Sequence, residues 1–186
     1  YTKLDFHIVS PSRFMADRAK ESALLGNRPI HVIPNGINTV TFSPIDKQIA
    51  RGELEIPNKK TIVFGAYRAT TDENKGFKYL LEGLKKLKEY YESHEIQILI
   101  FGGAYEGDLF FDTVNLGQVE NEEVLSTVYS SADVMIVPSE HENLPYTIME
   151  SLSCATPVVA FNIGGNSDML EHKINGYLVK PFNVSE

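Results

Sequence analysis

Short runs of consecutive apolar residues alternate along the chain with longer stretches in which apolar residues recur every three or four positions. The strongest periodic stretch covers residues 76–91, where leucines and Phe77 share one face and lysines occupy the other. This spacing predicts an amphipathic helix. The same criteria predict further helices over residues 11–25, 47–54, 122–130, 145–153 and 166–171. They predict strands over residues 6–9, 30–33, 61–64, 96–101, 113–116, 134–137, 157–161 and 177–179.

Several of the predicted strands are apolar at every position, not only at alternate ones. Examples are residues 61–64, 96–101, 134–137 and 157–161. Strands of this kind are buried on both faces, as in a parallel sheet covered by helices. The alternation of strands and helices therefore predicts an α/β fold with a doubly wound parallel sheet. Ligands of such sheets bind at the carboxyl edge, so the loops after Phe64, Phe101, Leu116, Val137 and Phe161 are the candidates for a site.

Composition and charge exclude several structural and functional classes for this protein. The 186 residues are 42% apolar and 23% charged, which excludes a disordered chain. A net charge of −8 argues against broad binding to nucleic acid. The single Cys154 excludes an intrachain disulfide and a cysteine-based zinc site. No apolar run is long enough to span a membrane, and the first residues lack the charged and apolar regions of a signal peptide, so we expect a cytoplasmic protein.

The loop after Val137 carries the most suggestive chemistry. Pro145 suits the first turn of a helix, with Asn143 as its N-cap and Glu142 just outside. Glu150 then falls about one and a half turns into that helix. Carboxylates beside a helix N-terminus suit a ligand rich in hydroxyls, while the free amides suit a phosphate. The alternative is that both acids are solvated surface residues.

Two other loops carry candidate groups. After Phe64, Arg68 and Lys75 lie near a helix start, where each could neutralise a phosphate, or each could simply be an exposed cation. After Phe161, Gly164 and Gly165 would let a ligand approach two backbone amides, or would form a plain tight turn. No Walker A, dinucleotide-binding, zinc-protease or aspartate-rich metal motif is present.

Five short segments follow one another in an order found in one enzyme family. They are Ile33-Pro34-Asn35-Gly36-Ile37, Lys75-Gly76, Glu142 with Glu150 eight positions on, Gly164-Gly165, and Asn175-Gly176-Tyr177-Leu178-Val179. With them, the chain from about residue 8 to 181 resembles the C-terminal, nucleotide-sugar-binding half of family 4 glycosyltransferases, which are retaining enzymes of the GT-B fold.

The resemblance implies a role for each matching position. Glu142 would contact the hydroxyls of the donor sugar and Lys75 the diphosphate, as the catalytic pair. Glu150 would hold the ribose, and Arg68 would assist Lys75. The remaining donor-binding positions would be Asn143, Leu144, Tyr146 and Gly164, at the sugar and phosphate, and Gly117 and Val119, at the base.

The resemblance also implies the activity and the domain organisation. The full enzyme would transfer a sugar from a donor such as a UDP- or GDP-sugar, with retention and without a metal or other cofactor, in glycan or polysaccharide synthesis. Residues 1–36 would be a remnant of the N-terminal domain that binds a glycan or lipid-linked acceptor, and residues 37–186 the donor domain. The full protein could associate peripherally with a membrane. We expect no partnership with nucleic acid, and the chain alone would be largely inactive.

Some positions depart from the family pattern, and two alternatives stay open. Asn143-Leu144-Pro145 stands where many relatives have Gly-Phe-Gly, Ala66 stands where a basic residue is common, and Asp168 stands where Glu is more usual.

A nucleotide-sugar 2-epimerase shares the architecture, and a non-catalytic α/β binding module is the alternative of a different class. Apolar positions in residues 1–36 should fold back on the sheet edge or associate with another chain.

Overall fold

The computed structural model describes residues 4–185 and contains two parallel sheets and six helices in that part of the chain. The strands are β1 (Ile8–Ser10), β2 (Ile30–Val32), β3 (Lys60–Gly65), β4 (Ile96–Phe101), β5 (Asp112–Asn115), β6 (Val134–Val137), β7 (Val158–Phe161) and β8 (Gly176–Val179). The helices are α1 (Arg13–Lys20), α2 (Lys47–Glu53), α3 (Phe77–Leu87), α4 (Glu122–Ser131), α5 (Tyr146–Ser153) and α6 (Asn166–Met169), and Glu73–Lys75 forms a short 3-10 turn.

The larger sheet has six parallel strands in the order β5-β4-β3-β6-β7-β8. This confirms the prediction of one doubly wound parallel sheet. The chain builds outward from β3 to β5, and then returns to place β6 on the other side of β3. The order reverses between β3 and β6, and a doubly wound sheet opens a crevice for ligands at such a point.

The sheet separates two apolar cores. On one face, α3 packs Leu80 and Leu84 against Phe64, Ile98 and Ile100. On the other face, the buried cluster includes Val63, Leu99, Val128, Tyr129 and Ile148, which join the sheet to α4 and α5. Burial on both faces explains why these strands are apolar at consecutive positions.

Two helices are shorter than predicted. The helix predicted over residues 11–25 ends at Lys20, because the chain folds back over the helix end at Gly26, where a Cβ would collide with the carbonyl oxygen of Lys20. The helix predicted over residues 76–91 ends at Leu87, and hydrogen-bonded turns follow it, such as Tyr91 N–H to the Leu87 carbonyl at 3.2 Å. Periodicity located both helices but not their ends, since turns continue the apolar spacing.

The N-terminal strands do not join the large sheet. β1 and β2 pair with each other in parallel, so the expectation that this segment folds back on the sheet edge is wrong. The segment contacts the rest of the chain through the start of α1: the Ser12 hydroxyl bonds the Asn143 side chain at 2.6 Å, and the Arg13 amide bonds Asp168 at 2.6 Å. The division into residues 1–36 and 37–186 stays a prediction; residues 1–3 and 186 lie outside the described part.

Candidate functional site

An ion pair between Lys75 and Glu142 lies where the strand order reverses. The Lys75 Nζ atom is 2.9 Å from Glu142 Oε1, and the two side chains are 25% and 11% exposed. Both line a small cavity whose walls also include Gly65, Ala66 and Thr147. The structure thus confirms that the two residues share the carboxyl edge of the sheet, 67 positions apart in sequence.

Contacts between loops bring Lys75 to this place. Lys75 ends the 3-10 turn and is followed by Gly76 in the left-handed region, with φ of 70°. A Cβ at position 76 would collide with the carbonyl oxygen of Pro138, so only glycine lets the two loops meet. The Glu140 amide also donates to the Asn74 carbonyl at 2.8 Å. The loop after β6 therefore aligns the end of the loop after β3.

Glycines on the other side hold Glu142. Gly164 has φ of 52°, and a Cβ there would collide with the carbonyl oxygen of Glu142; a Cβ at Gly165 would collide with that of Asn143. From the sequence, these glycines either admit a ligand to the backbone or form a plain tight turn. In the structure it is the loop after β6 that approaches them closely. Their amides have no hydrogen-bond acceptor in residues 4–185, so they stay available to an anion.

The start of α5 differs from the prediction. Pro145 is the N-cap, not a first-turn residue, and the helix begins at Tyr146. Asn143 is not the cap, because its side-chain oxygen accepts the Ser12 hydroxyl proton instead. Leu144 is buried and Tyr146 is half exposed. The amides of Leu144 and Tyr146 bond to no acceptor in the described chain, so this helix end keeps donors for a phosphate or hydroxyl group.

Glu150 lies farther along α5 and faces α4. Its Oε2 accepts the hydroxyl proton of Tyr129 at 2.7 Å. Burial raises the pKa of the Glu150 carboxyl above its ordinary value, a change that the Tyr129 hydrogen bond opposes and the charge of Glu122 supports. Glu150 is not the solvated surface acid of the alternative interpretation, because it is partly buried and holds a defined partner.

For the other predicted positions, Arg68, Gly117 and Val119, the structure gives weaker support for contact with a ligand. Arg68 is exposed, has φ of 57° and forms no ion pair within residues 4–185. Both backbone groups of Gly117 are engaged: its amide donates to Asn115 Oδ1 at 3.0 Å, and its carbonyl accepts from Gly102 at 2.7 Å. Val119 packs partly against the core. The amide of Gly117 is therefore already satisfied within the chain.

The sequence did not predict three hydrogen bonds that shape the site. Tyr129 bonds Glu150, Ser12 bonds Asn143, and Asp168 accepts the amide of Arg13 at 2.6 Å. Each contact joins elements between 21 and 155 positions apart. Local patterns carry no trace of such pairs. Of these residues, only Tyr129 carried a signal in the sequence, because a hydroxyl on a helix face that packs against the core requires a hydrogen-bond partner.

Two features bear on other ligands. Among the residues that the structure describes, no three His, Cys, Asp or Glu side chains converge as a metal site would require. Within the same residues, no helix is both long and apolar enough to cross a bilayer.

Comparison of the sequence with known families gives a clear match. Residues 59–186 match the family described as "Glycosyl transferases group 1". An uncharacterized glycosyltransferase of Methanocaldococcus jannaschii is 30% identical over 168 residues, which are 83% of this chain and 42% of that protein. The D-inositol 3-phosphate glycosyltransferase of Segniliparus rotundus is 28% identical over 81% of this chain and 35% of its own length. The chain thus spans about two fifths of these relatives.

Solved structures give a matching result for the fold. The sucrose-phosphate synthase of Thermosynechococcus elongatus superposes with a TM-score of 0.80 at 24% identity, over 96% of this chain and 46% of its own. The Anabaena protein HepE, solved in complex with UDP, gives a TM-score of 0.73 at 21% identity over 96% of this chain and half of its own. At such identities the likeness concerns the fold alone. It confirms the predicted Rossmann-like α/β fold of GT-B glycosyltransferase domains.

Proposed function

The chain belongs to the group 1 glycosyl transferases, and from that premise we propose that it is the donor-binding half of a retaining, family 4 enzyme. The full enzyme transfers a sugar from a nucleotide sugar, such as a UDP- or GDP-sugar, to a glycan or lipid-linked acceptor bound by another part of the protein. The Lys75–Glu142 pair at the reversal of strand order is the observation that carries this proposal. The Anabaena neighbour that binds UDP supports it at the level of the fold.

The pair suits an anionic donor for an electrostatic reason. A carboxylate alone at this edge would repel a diphosphate, but an ammonium group 2.9 Å away largely cancels its charge. Glu142 can then accept hydrogen bonds from sugar hydroxyls while Lys75 turns toward the phosphates. Lys75 also stabilises the charge that develops on the leaving diphosphate.

The unpartnered amides complete the phosphate subsite. Those of Leu144 and Tyr146 lie at the start of α5, and those of Gly164 and Gly165 lie beside them, against the Glu142 backbone. Backbone amides with no internal acceptor are suited to phosphate oxygens. Glu150, on the same helix, is assigned to the ribose hydroxyls.

A thermal-shift experiment tests the proposal on this chain. UDP or GDP at about 100 times its dissociation constant should stabilise the fold by ~2.7 kcal/mol, or roughly 5–11 °C in Tm for a chain of this size. Lys75→Met should reduce the shift strongly. Lys85→Met is the matched control, because Lys85 lies exposed on α3 and should leave the shift unchanged.

Two results would count against the proposal. No shift with UDP, GDP or ADP would favour a non-catalytic binding module. Equal shifts for the Lys75 and Lys85 variants would place the nucleotide away from the reversal of strand order.

A further inference from the structure

The hydroxyl of Tyr129 is the feature that the proposed function leaves unexplained. Tyr129 is completely buried, yet its hydroxyl reaches a partly exposed carboxylate, Glu150 Oε2, at 2.7 Å. A phenylalanine would fill the same space without a polar group to satisfy. A buried hydroxyl needs a partner, and Glu150 supplies it.

The surroundings of Tyr129 fix the hydroxyl in place. Its ring packs edge-on against Phe101, with centroids 5.8 Å apart, and lies tilted against Phe42, with centroids 6.4 Å apart. Its carbonyl oxygen accepts the Thr156 hydroxyl proton at 2.6 Å. The ring is therefore held from two sides and the backbone from a third, so Tyr129 presents its donor from one fixed point.

The contact leaves half of the carboxylate available. Tyr129 occupies Oε2, while Oε1 of Glu150 bonds to nothing within residues 4–185. Burial raises the pKa of the Tyr129 phenol well above its ordinary value, so it remains a donor near neutral pH. A carboxylate held on one oxygen keeps its other lone pairs for a pair of neighbouring hydroxyls.

We propose that Tyr129 is a positioning residue, which holds the Glu150 carboxylate in the orientation that accepts the ribose hydroxyls of the nucleotide. This rests on the proposed function, since it assumes that Glu150 meets the ribose. Pre-orienting Glu150 avoids the entropy cost of ordering its side chain at the moment of binding.

The test compares Tyr129→Phe with the parent chain by calorimetry, using UDP or GDP, whichever binds, and its 2′,3′-dideoxy analogue. Affinity for the intact nucleotide should fall roughly 2- to 13-fold, the range of one hydrogen bond. Affinity for the dideoxy analogue should not change. The loss should also vanish in a Glu150→Ala background, because the two residues act as one unit.

Two further variants separate positioning from packing. Ser126→Ala removes another buried hydroxyl of α4, one that bonds the Ser43 carbonyl and not Glu150, and it should leave affinity for both nucleotides unchanged. Tyr129→4-aminophenylalanine keeps a donor at the end of the ring and should restore affinity. Melting curves of each variant check that it is folded.

Three results would overturn the inference. Tyr129→Phe could bind the intact nucleotide as tightly as the parent does, or it could lose affinity equally for the dideoxy analogue, as a packing role would. Failure of the 4-aminophenylalanine variant to restore binding would be the third. If instead Glu150→Ala itself leaves nucleotide affinity unchanged, the ribose assignment falls first, which is a separate and recognisable failure.

Discussion

At the scale of residues, Glu142 and Glu150 have different partners although both serve the same proposed donor. Glu142 is paired with an ammonium group, and Glu150 with a phenol. The cation beside Glu142 offsets the charge of that carboxylate next to an expected diphosphate. Within residues 4–185 no cation pairs with Glu150, so its burial costs free energy whenever it is charged.

We predict that Glu150→Gln stabilises the empty protein while weakening nucleotide binding. Burial raises the pKa of Glu150 above that of the unfolded chain, so its contribution favours folding at low pH and is lost as pH rises through that raised pKa. At pH 7 the ionised group is therefore a cost. Its removal should add about 1 kcal/mol, or ~2–4 °C in Tm.

A pH series of melting curves checks the sign. The gain from Glu150→Gln should shrink as the pH falls through the raised pKa of Glu150, because the parent carboxyl then becomes neutral too. Glu89→Gln, at an exposed position after α3, is the control and should have no effect on Tm. A lower Tm for Glu150→Gln at pH 7 would show that its charge contributes to stability.

At the scale of elements, the site is built by three neighbouring loops that touch through glycines. The loop after β6 lies between Gly76 on one side and Gly164 on the other. Both have positive φ and both face a carbonyl oxygen of that loop. The position of Glu142 is therefore set by two loop contacts that side chains of any size would break.

We predict that Gly164→Ala displaces this loop. The substitution combines left-handed strain with a collision against the Glu142 carbonyl, so it should cost about 2–5 kcal/mol. Gly117→Ala isolates the strain, because Gly117 has φ of 63° and no atom within 4 Å of a Cβ; it should cost ~1–2 kcal/mol.

Denaturant unfolding and nucleotide titration of the two variants would compare both effects. Gly164→Ala should also lose nucleotide affinity beyond its loss of stability, and Gly117→Ala should unfold more easily but bind nearly as well. Equal losses of stability would mean that loop contact contributes nothing beyond backbone strain.

The sequence predicted the strands and the loops at the carboxyl edge of the sheet better than it predicted side-chain contacts between distant residues. The consecutive apolar residues of β3, β4, β6 and β7 identified a parallel sheet, and from it followed the meeting of Lys75 and Glu142. The cap of α5 was wrong, because Ser12, far away in sequence, takes the Asn143 side chain. Tyr129 was missed since only tertiary packing brings its hydroxyl to Glu150.

At the scale of the whole molecule, residues 8–32 form a small unit that contacts the rest of the chain at Asn143 and Asp168. Its two-stranded sheet has few neighbours, and it leaves apolar side chains in water: Val9 is 60% exposed and Leu24 62%. Two-stranded sheets are marginally stable alone. Of the two outcomes expected for these residues in the isolated chain, folding back on the sheet edge is excluded, and association with another chain stays a prediction.

We predict that the isolated chain self-associates through this segment. Sedimentation over a range of concentrations should show oligomers, and the double variant Val9→Asp with Leu24→Asp should shift them toward the monomer. Val40→Asp is the control, because Val40 is 86% exposed but lies outside the segment. A parent chain that is monomeric at all concentrations would contradict the prediction.

We propose that one edge of the sheet binds a nucleotide sugar, with Glu150 at the ribose and Glu142 at the sugar. Calorimetry of Glu150→Ala and Glu142→Ala, each with a nucleoside diphosphate and with its nucleotide sugar, tests it most directly. Glu150→Ala should weaken binding of UDP or GDP about 10- to 150-fold. Glu142→Ala should leave that affinity unchanged or raise it, since Lys75 loses its partner, and should weaken only the nucleotide sugar. A Glu150→Ala chain that binds UDP and GDP as tightly as the parent would contradict the account.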